Sequence, residues 1–442
     1  MQDIGGIPYT TAKFDRHGKL VGKPTVPQNV TDVLVVSHGW NNDEKAAELL
    51  YKRLFTNFAR LIKGDPEFAQ RRPAIVGVIW PAKKFQPLSF DSENASKSAG
   101  GAASIGGSKL TAAKKTAMRK AIGDLSVLFD GKSEAKNLDR LKLLIDDVEK
   151  SAAARSEFVE SLRKLMKSTA ATTPPKDDDE GEALFEGGTR EVLFSNLGRP
   201  SGDIDSKLAT KLHGTARVGT AGLGDGMSSI SRSISSLLNL TTYFEMKKRA
   251  GTIGAKGLAP LLDSLAKKAV RIHLVGHSFG ARLVTAAAMA SSTDCIRSLS
   301  LLQAAFSHNA FSAKQRGFFR DVLARNRVNG PILVTHTQND TAVGLHYAIA
   351  SRLSQDSTSK VGGPGDKFGG LGANGAQQMA SGEVSGKVTR LLAASKPFSL
   401  QARQIHNLEA SDFIVVPGGG DAHGQVHGAE VAWAISRAIA SS

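Results

Sequence analysis

Gly276-His277-Ser278-Phe279-Gly280 is the pattern in this chain whose residue types and spacing point most directly to chemistry. A serine between two glycines, after an apolar run and before a run of small residues, fits a sharp turn from a buried strand into a helix. Gly276 and Gly280 lack a Cβ, so the turn can close, and the serine is expected in a strained backbone conformation. Such a turn lifts the Ser278 hydroxyl to the end of the sheet, beside the N-terminus of the helix. A serine hydroxyl attacks a carbonyl only when a base takes its proton, and the base must be oriented by an acid.

The order expected downstream is acid, then histidine. Asp340 follows PILVTHTQN, an apolar strand ending in polar residues, and is the preferred acid; Asp294, one strand earlier, is its rival. DFIVVPGGGDAHGQVHG supplies His423 and His427. His423 lies in the Gly-rich stretch and is the preferred base. His427 adjoins the last helix and is the alternative. His273 reads as an interior strand side chain, and His277, beside the serine, has the wrong local geometry for a base. The oxyanion formed on attack needs N–H donors. The residue after the nucleophile, Phe279, gives one, and Ser37-His38-Gly39-Trp40, after an early apolar strand, gives the other through the Trp40 N–H. Gly39 allows the close approach this requires.

The elements that must position these groups alternate. IPYTTAKFDRHGKLVG reads as an edge hairpin turning at Arg16-His17-Gly18, and TDVLVVS as a buried strand. Asn42-Asp43-Glu44 opens a helix with Ala46, Leu49, Leu50, Leu54, Phe55 and Phe58 at helical spacing, and AIVGVIW is a second buried strand. Strand, helix, strand predicts an α/β fold with a mostly parallel central sheet and helices on both faces. From 82 to 250 the rhythm stops. Basic amphipathic helices are expected there, with a Pro-plus-acid loop at 172–182. The alternation resumes at 251 with GAKGLAPLLDSLAKKA as a helix, VRIHLVGHS, LSLLQAAF and PILVTHT as strands, DFIVVPG as the last strand and GAEVAWAISRAIA as the last helix. The expected organisation is therefore a core in two pieces, 1–81 and 251–442, with a mainly helical insertion or cap at 82–250.

SHGWNND, GVIWPAKKF, GHSFGARL, THTQND and HGQVHGAEVAWAI together resemble the α/β-hydrolase superfamily, and more narrowly bacterial serine esterase and lipase-like proteins. The resemblance covers about 30–80 and about 251–440. It implies an α/β-hydrolase fold and hydrolysis of an ester, thioester or amide through an acyl-enzyme. The implied nucleophile is Ser278, the acid Asp340, the base His423, and the oxyanion donors Trp40 and Phe279. The long insertion and the second histidine of the closing loop depart from common members.

A carboxylic ester hydrolase, esterase or lipase, is the leading expectation. A thioesterase, amidase or peptidase on the same residues is the second, and a non-catalytic binding protein with a basic cap the third. The expected substrate is a small-molecule or lipid ester. The net charge of +16, dense between 83 and 168, suits an anionic membrane surface better than nucleic acid, and a plain soluble basic surface best. No zinc-spaced Cys/His cluster, phosphate loop or dinucleotide fingerprint occurs, so no cofactor or metal is expected. Cys295 is the single cysteine, which excludes an intrachain disulfide. The start of the chain does not read as a signal peptide and no apolar run has membrane-spanning length, so a cytoplasmic location, or export by a signal-independent route, is expected. The sequence does not specify an oligomeric state.

Overall fold

The computed structural model describes residues 2–82, 110–168, 190–197, 229–268, 270–344, 363–365 and 368–442. The acidic segment 172–182 lies outside them.

The centre is an eight-stranded sheet in the order β1-β2-β4-β3-β5-β6-β7-β8. Its strands are β1 (Gln2–Ile4), β2 (Ile7–Lys13), β3 (Asp32–Ser37), β4 (Pro73–Ile79), β5 (Arg271–His277), β6 (Ile296–Leu302), β7 (Ile332–His336) and β8 (Ile405–Glu409). β1 runs antiparallel to β2, and every other pair is parallel. Around the sheet lie α1 (Glu44–Ile62), α2 (Ala112–Asp124), α3 (Lys132–Leu144), α4 (Ala152–Ser168), α5 (Arg190–Leu197), α6 (Ser229–Ile253), α7 (Ala259–Ala266), α8 (Phe279–Ala290), α9 (Arg320–Ala324), α10 (Leu371–Asn374) and α11 (Ala429–Ala440).

The alternation of side chains along a strand sorts the central strands between two cores. Val33 and Val35 of β3 face one cluster, shared with α6, α7 and α8. Leu34 and Val36 face the other, shared with α1 and α11. Covered on both faces, β3 is buried at every position, which is why it reads as an unbroken apolar run. Helix α1 starts where Asp43 accepts a hydrogen bond from the Ala46 N–H at 2.8 Å. Its inner stripe is Ala47, Tyr51, Leu54, Phe55 and Phe58. Leu49, expected in that stripe, is exposed.

The described part of 82–250 is helical. Met118 and Ile122, Leu138 and Leu141, Phe158 and Leu162, and Leu193 of α2 to α5 lie in the same apolar cluster as α8. Helix α6 runs through a π-turn at Gly254–Leu258 into α7, so the expected boundary at 250 falls inside continuous helix. At this crossing a Cβ on Gly254 would overlap the Leu283 carbonyl of α8.

Two local expectations need correction. The N-terminal hairpin turns at Gly5-Gly6, both at positive φ, and Arg16-His17-Gly18 closes only the isolated pair Phe14–Leu20. Gly-Gly supplies the left-handed conformations that this short connection needs. DFIVVPG is not a strand. β8 is Ile405–Glu409, and Asp412 to Gly420 form successive turns. Burial of Ile414 in the core explains the apolar character of a segment that pairs with no strand. Among the described residues no helix is long and apolar enough to cross a membrane.

Candidate active site

The helix after β3 and the helix after β5 lie on opposite faces, although β3 and β5 are neighbours. Where connections part in this way, a crevice opens at the carboxyl ends of the strands. The residues singled out by sequence come together there.

Ser278 follows β5 directly and has φ 58° and ψ −124°, a strained backbone, as expected, at positive φ. Its N–H donates to the Leu302 carbonyl of β6 at 3.0 Å, and its carbonyl accepts from Ala281 and Ala305. These bonds hold the strained residue in place. The flanking glycines serve close approach: a Cβ on Gly280 would overlap the Ser37 carbonyl, and one on Gly276 would overlap Ala281. A Cβ on Gly39 would overlap Ser278 Cβ and lie 2.9 Å from Ser278 Oγ. The loop after β3 therefore touches the serine, and only glycine permits it.

Phe279 is the first residue of α8, where the N–H groups have no acceptor within the helix. Trp40 packs its ring 6.1 Å from that of Phe279. His38, between the strand and these residues, is fully buried and locks the loop. Its Nδ1–H donates to the Gly39 carbonyl at 2.9 Å, while Nε2 accepts the Trp80 N–H at 3.4 Å. Its own N–H donates to the Tyr51 hydroxyl at 2.8 Å, and its carbonyl accepts from Trp80 Nε1 at 3.0 Å. A trans peptide points its C=O and N–H opposite ways. Tying the Gly39 carbonyl to His38 thus fixes the direction of the Trp40 N–H. Burial pushes the His38 pKa down to about 4, so the ring is neutral.

Asp340, beyond the end of β7, is buried. Its Oδ2 accepts from His423 Nδ1 at 2.8 Å and from Gln303 Nε2 at 3.3 Å, and its Oδ1 accepts from the Val343 N–H at 2.9 Å. His423 therefore presents Nε2 as its unprotonated ring nitrogen. Burial disfavours the His423 charge, but the Asp340 carboxylate, its hydrogen bond and Asp421 together hold the pKa above the ordinary histidine value. Asp421 also accepts from the N–H groups of Thr341 and His423. Ser278 Oγ makes no hydrogen bond among the described residues.

The alternatives fall elsewhere. His427 gives its backbone carbonyl to Asn57 Nδ2 at 3.0 Å, beside α1, and its ring makes no hydrogen bond to Asp340. Asp294 precedes β6, at the opposite end of the parallel sheet from Ser278. His273 is an interior side chain with both nitrogens bonded, to Asp32 at 3.1 Å and Ser298 at 2.9 Å.

Sequence reasoning missed three contributors. Gln303, at the end of β6, bridges Asp340, the Gly372 carbonyl and Thr335. A glutamine ending the run LSLL was the available signal. Tyr243 of α6 lies 4.9 Å from the Phe279 ring and 6.3 Å from Trp40, so α6 contributes a wall beside the serine turn. No motif announces it. His277, set aside as a base, instead holds the His423 backbone, donating from Nε2 to its carbonyl at 2.8 Å. Among the described residues no group of His, Cys, Asp and Glu could hold a metal ion.

Comparison with protein-family models, curated proteins and solved structures gives no match for this chain.

Proposed function

We propose that the chain is a serine hydrolase of the α/β-hydrolase type that cleaves carboxylic esters through an acyl-enzyme on Ser278. The observation carrying this reading is a serine at positive φ on a strand-to-helix turn, directly after the His277 that hydrogen-bonds His423, which pairs with Asp340 at 2.8 Å. The chain order serine, aspartate, histidine and the glycine loop after β3 agree with it.

In this reading Ser278 Oγ bonds to the ester carbonyl carbon while His423 Nε2 takes its proton. The Phe279 and Trp40 N–H groups stabilise the oxyanion. The intermediate collapses by breaking the bond to the alkoxy oxygen, which receives the proton from His423 and leaves as the alcohol. Water, deprotonated by His423, then attacks the acyl-enzyme, releases the acid and returns the proton to Ser278. Asp340 keeps the imidazole in the tautomer that leaves Nε2 unprotonated and stabilises the imidazolium that forms.

The apolar faces of α2 to α4 are buried in the core they share with α8, which favours their role as a cap over a role in membrane contact. The test is turnover of short- and long-chain p-nitrophenyl esters by wild type, Ser278→Ala and His423→Ala. Ester hydrolysis lost in both variants is the expected result. Turnover of thioesters or anilides alone moves the assignment to those classes. Salt-sensitive retention on an acidic polymer without any turnover supports the binding-protein reading instead.

A further inference from the structure

Three hydrogen bonds hold His423: its Nδ1–H donates to Asp340, its N–H to Asp421, and its carbonyl accepts from His277. The bond to Asp340 sets the base relative to the acid, and through the Ala422 N–H on the Asn339 carbonyl the loop is tied to the same segment after β7. Neither sets the base relative to the nucleophile. The loop carrying His423 is otherwise irregular, with Gly418, Gly419 and Gly420 all at positive φ. Among the described residues, the His277 bond is the one that joins it to β5, directly at the residue before Ser278.

The side chain of His277 is buried and stacks obliquely on His423, with ring centroids 4.8 Å apart. Its Nδ1 is buried and has no hydrogen-bond partner among the described residues. His273 is bonded at both nitrogens, whereas His277, like His406, is bonded at one, and an unpaired buried polar atom costs stability. His277 accepts that cost and spends its single hydrogen bond on the backbone carbonyl of the base.

We infer that His277 is a positioning residue for the reaction: its Nε2–H, through the His423 carbonyl, holds the base in register with the serine that follows His277 in the chain. This rests on the serine hydrolase reading. Burial, and then the charge that His423 carries, push the His277 pKa down to about 3, so the ring stays a neutral single donor while His423 gains and loses its proton.

The test measures kcat, KM and the pH profile on a p-nitrophenyl ester for wild type, Ser278→Ala, His277→Gln, His277→Asn and His277→Leu. The Gln amide can reach the place of Nε2, whereas Asn is too short and Leu has no donor. Misplacing a catalytic group by about 1 Å costs on the order of 10²-fold. His277→Asn and His277→Leu are therefore expected to lose about 10²-fold in kcat with KM nearly unchanged, and His277→Gln to retain most of it. The acid limb of the pH profile stays in place, because the Asp340–His423 pair is untouched. Should the Leu variant fail to fold, the Gln and Asn pair decides. Wild-type kcat in the Asn variant, or an equal loss in Gln and Asn, overturns the inference while Ser278-dependent turnover by wild type leaves the hydrolase reading standing. A folded wild type without turnover overturns both.

Discussion

At the scale of single residues the site depends on a few atoms whose roles separate in experiment. Asp340 is the easiest to isolate, because Asp340→Asn keeps its volume and two of its hydrogen-bonding positions. Replacing the carboxylate by an amide favours the wrong tautomer of His423, and in comparable triads this lowers kcat about 10⁴-fold. The same loss is expected here, read as kcat on a chromogenic ester with the thermal midpoint as the control for folding. His423 has its pKa held above the usual histidine range by Asp340 and must be neutral to accept a proton. Activity should thus rise with pH along a limb centred above the ordinary histidine value of about 6.5. A limb at or below that value would show that the pair does not act as described. Ser278 and Asp340 were legible as candidates because each follows a strand, and His423 because it lies in a Gly-rich stretch after them in the chain. The hydrogen bonds of Gln303 to Asp340 and of His277 to His423 were not, since no spacing rule marks such a partner.

At the scale of elements, two close approaches carry the geometry. The loop after β3 reaches Ser278 only because residue 39 has no side chain. Gly39→Ala is expected to lower kcat by at least about 10²-fold, comparable to the loss of one oxyanion donor, with a smaller change in KM. Steady-state kinetics on the purified variant checks this, and unchanged kcat would remove the loop from the site. The second approach is the crossing of α6 and its π-turn over α8, where Gly254 meets the Leu283 carbonyl. Gly254→Ala should destabilise the fold by about 1–3 kcal/mol, as overpacking does, measured by urea unfolding. The periodicity of the sequence announced the buried strands and α1, because burial on both faces or on one stripe leaves a periodic trace. It failed at DFIVVPG and at the N-terminal hairpin. A short apolar run such as Phe413–Val416 fits a strand or a turn packed on the core equally well, and the contacts that decide lie far away in the chain.

At the scale of the whole molecule, buried neutral histidines set the response to acid. Burial lowers the pKa of His38 to about 4 and of His277 to about 3, and it lowers His273, His336 and His406 as well. Below the ordinary histidine value of about 6.5 the unfolded chain binds protons that the folded chain refuses, so stability falls as pH falls through that window. His423 works in the opposite sense. Its raised pKa adds stability at low pH that is lost as pH rises through the folded value. The depressed group is the larger, and the urea midpoint is expected to be lower at about pH 5 than at about pH 7.5. Equal midpoints would mean that these rings are protonated in the folded protein. The α/β alternation was visible in the sequence, and so was the helical character of the described part of 82–250. That the helices of this stretch share one core with α8, and that α6 brings Tyr243 to the serine turn, was not, because amphipathic periodicity states that a face is covered without stating by what.

The central claim is that Ser278 is an activated nucleophile. Its most direct test is treatment of the folded protein with a fluorescent fluorophosphonate, with the modified residue located by mass spectrometry of the digested chain. The account predicts a single adduct on Ser278, absent from Ser278→Ala and formed far more slowly in His423→Ala. A folded protein that takes up no probe, or takes it up equally in Ser278→Ala, would contradict it.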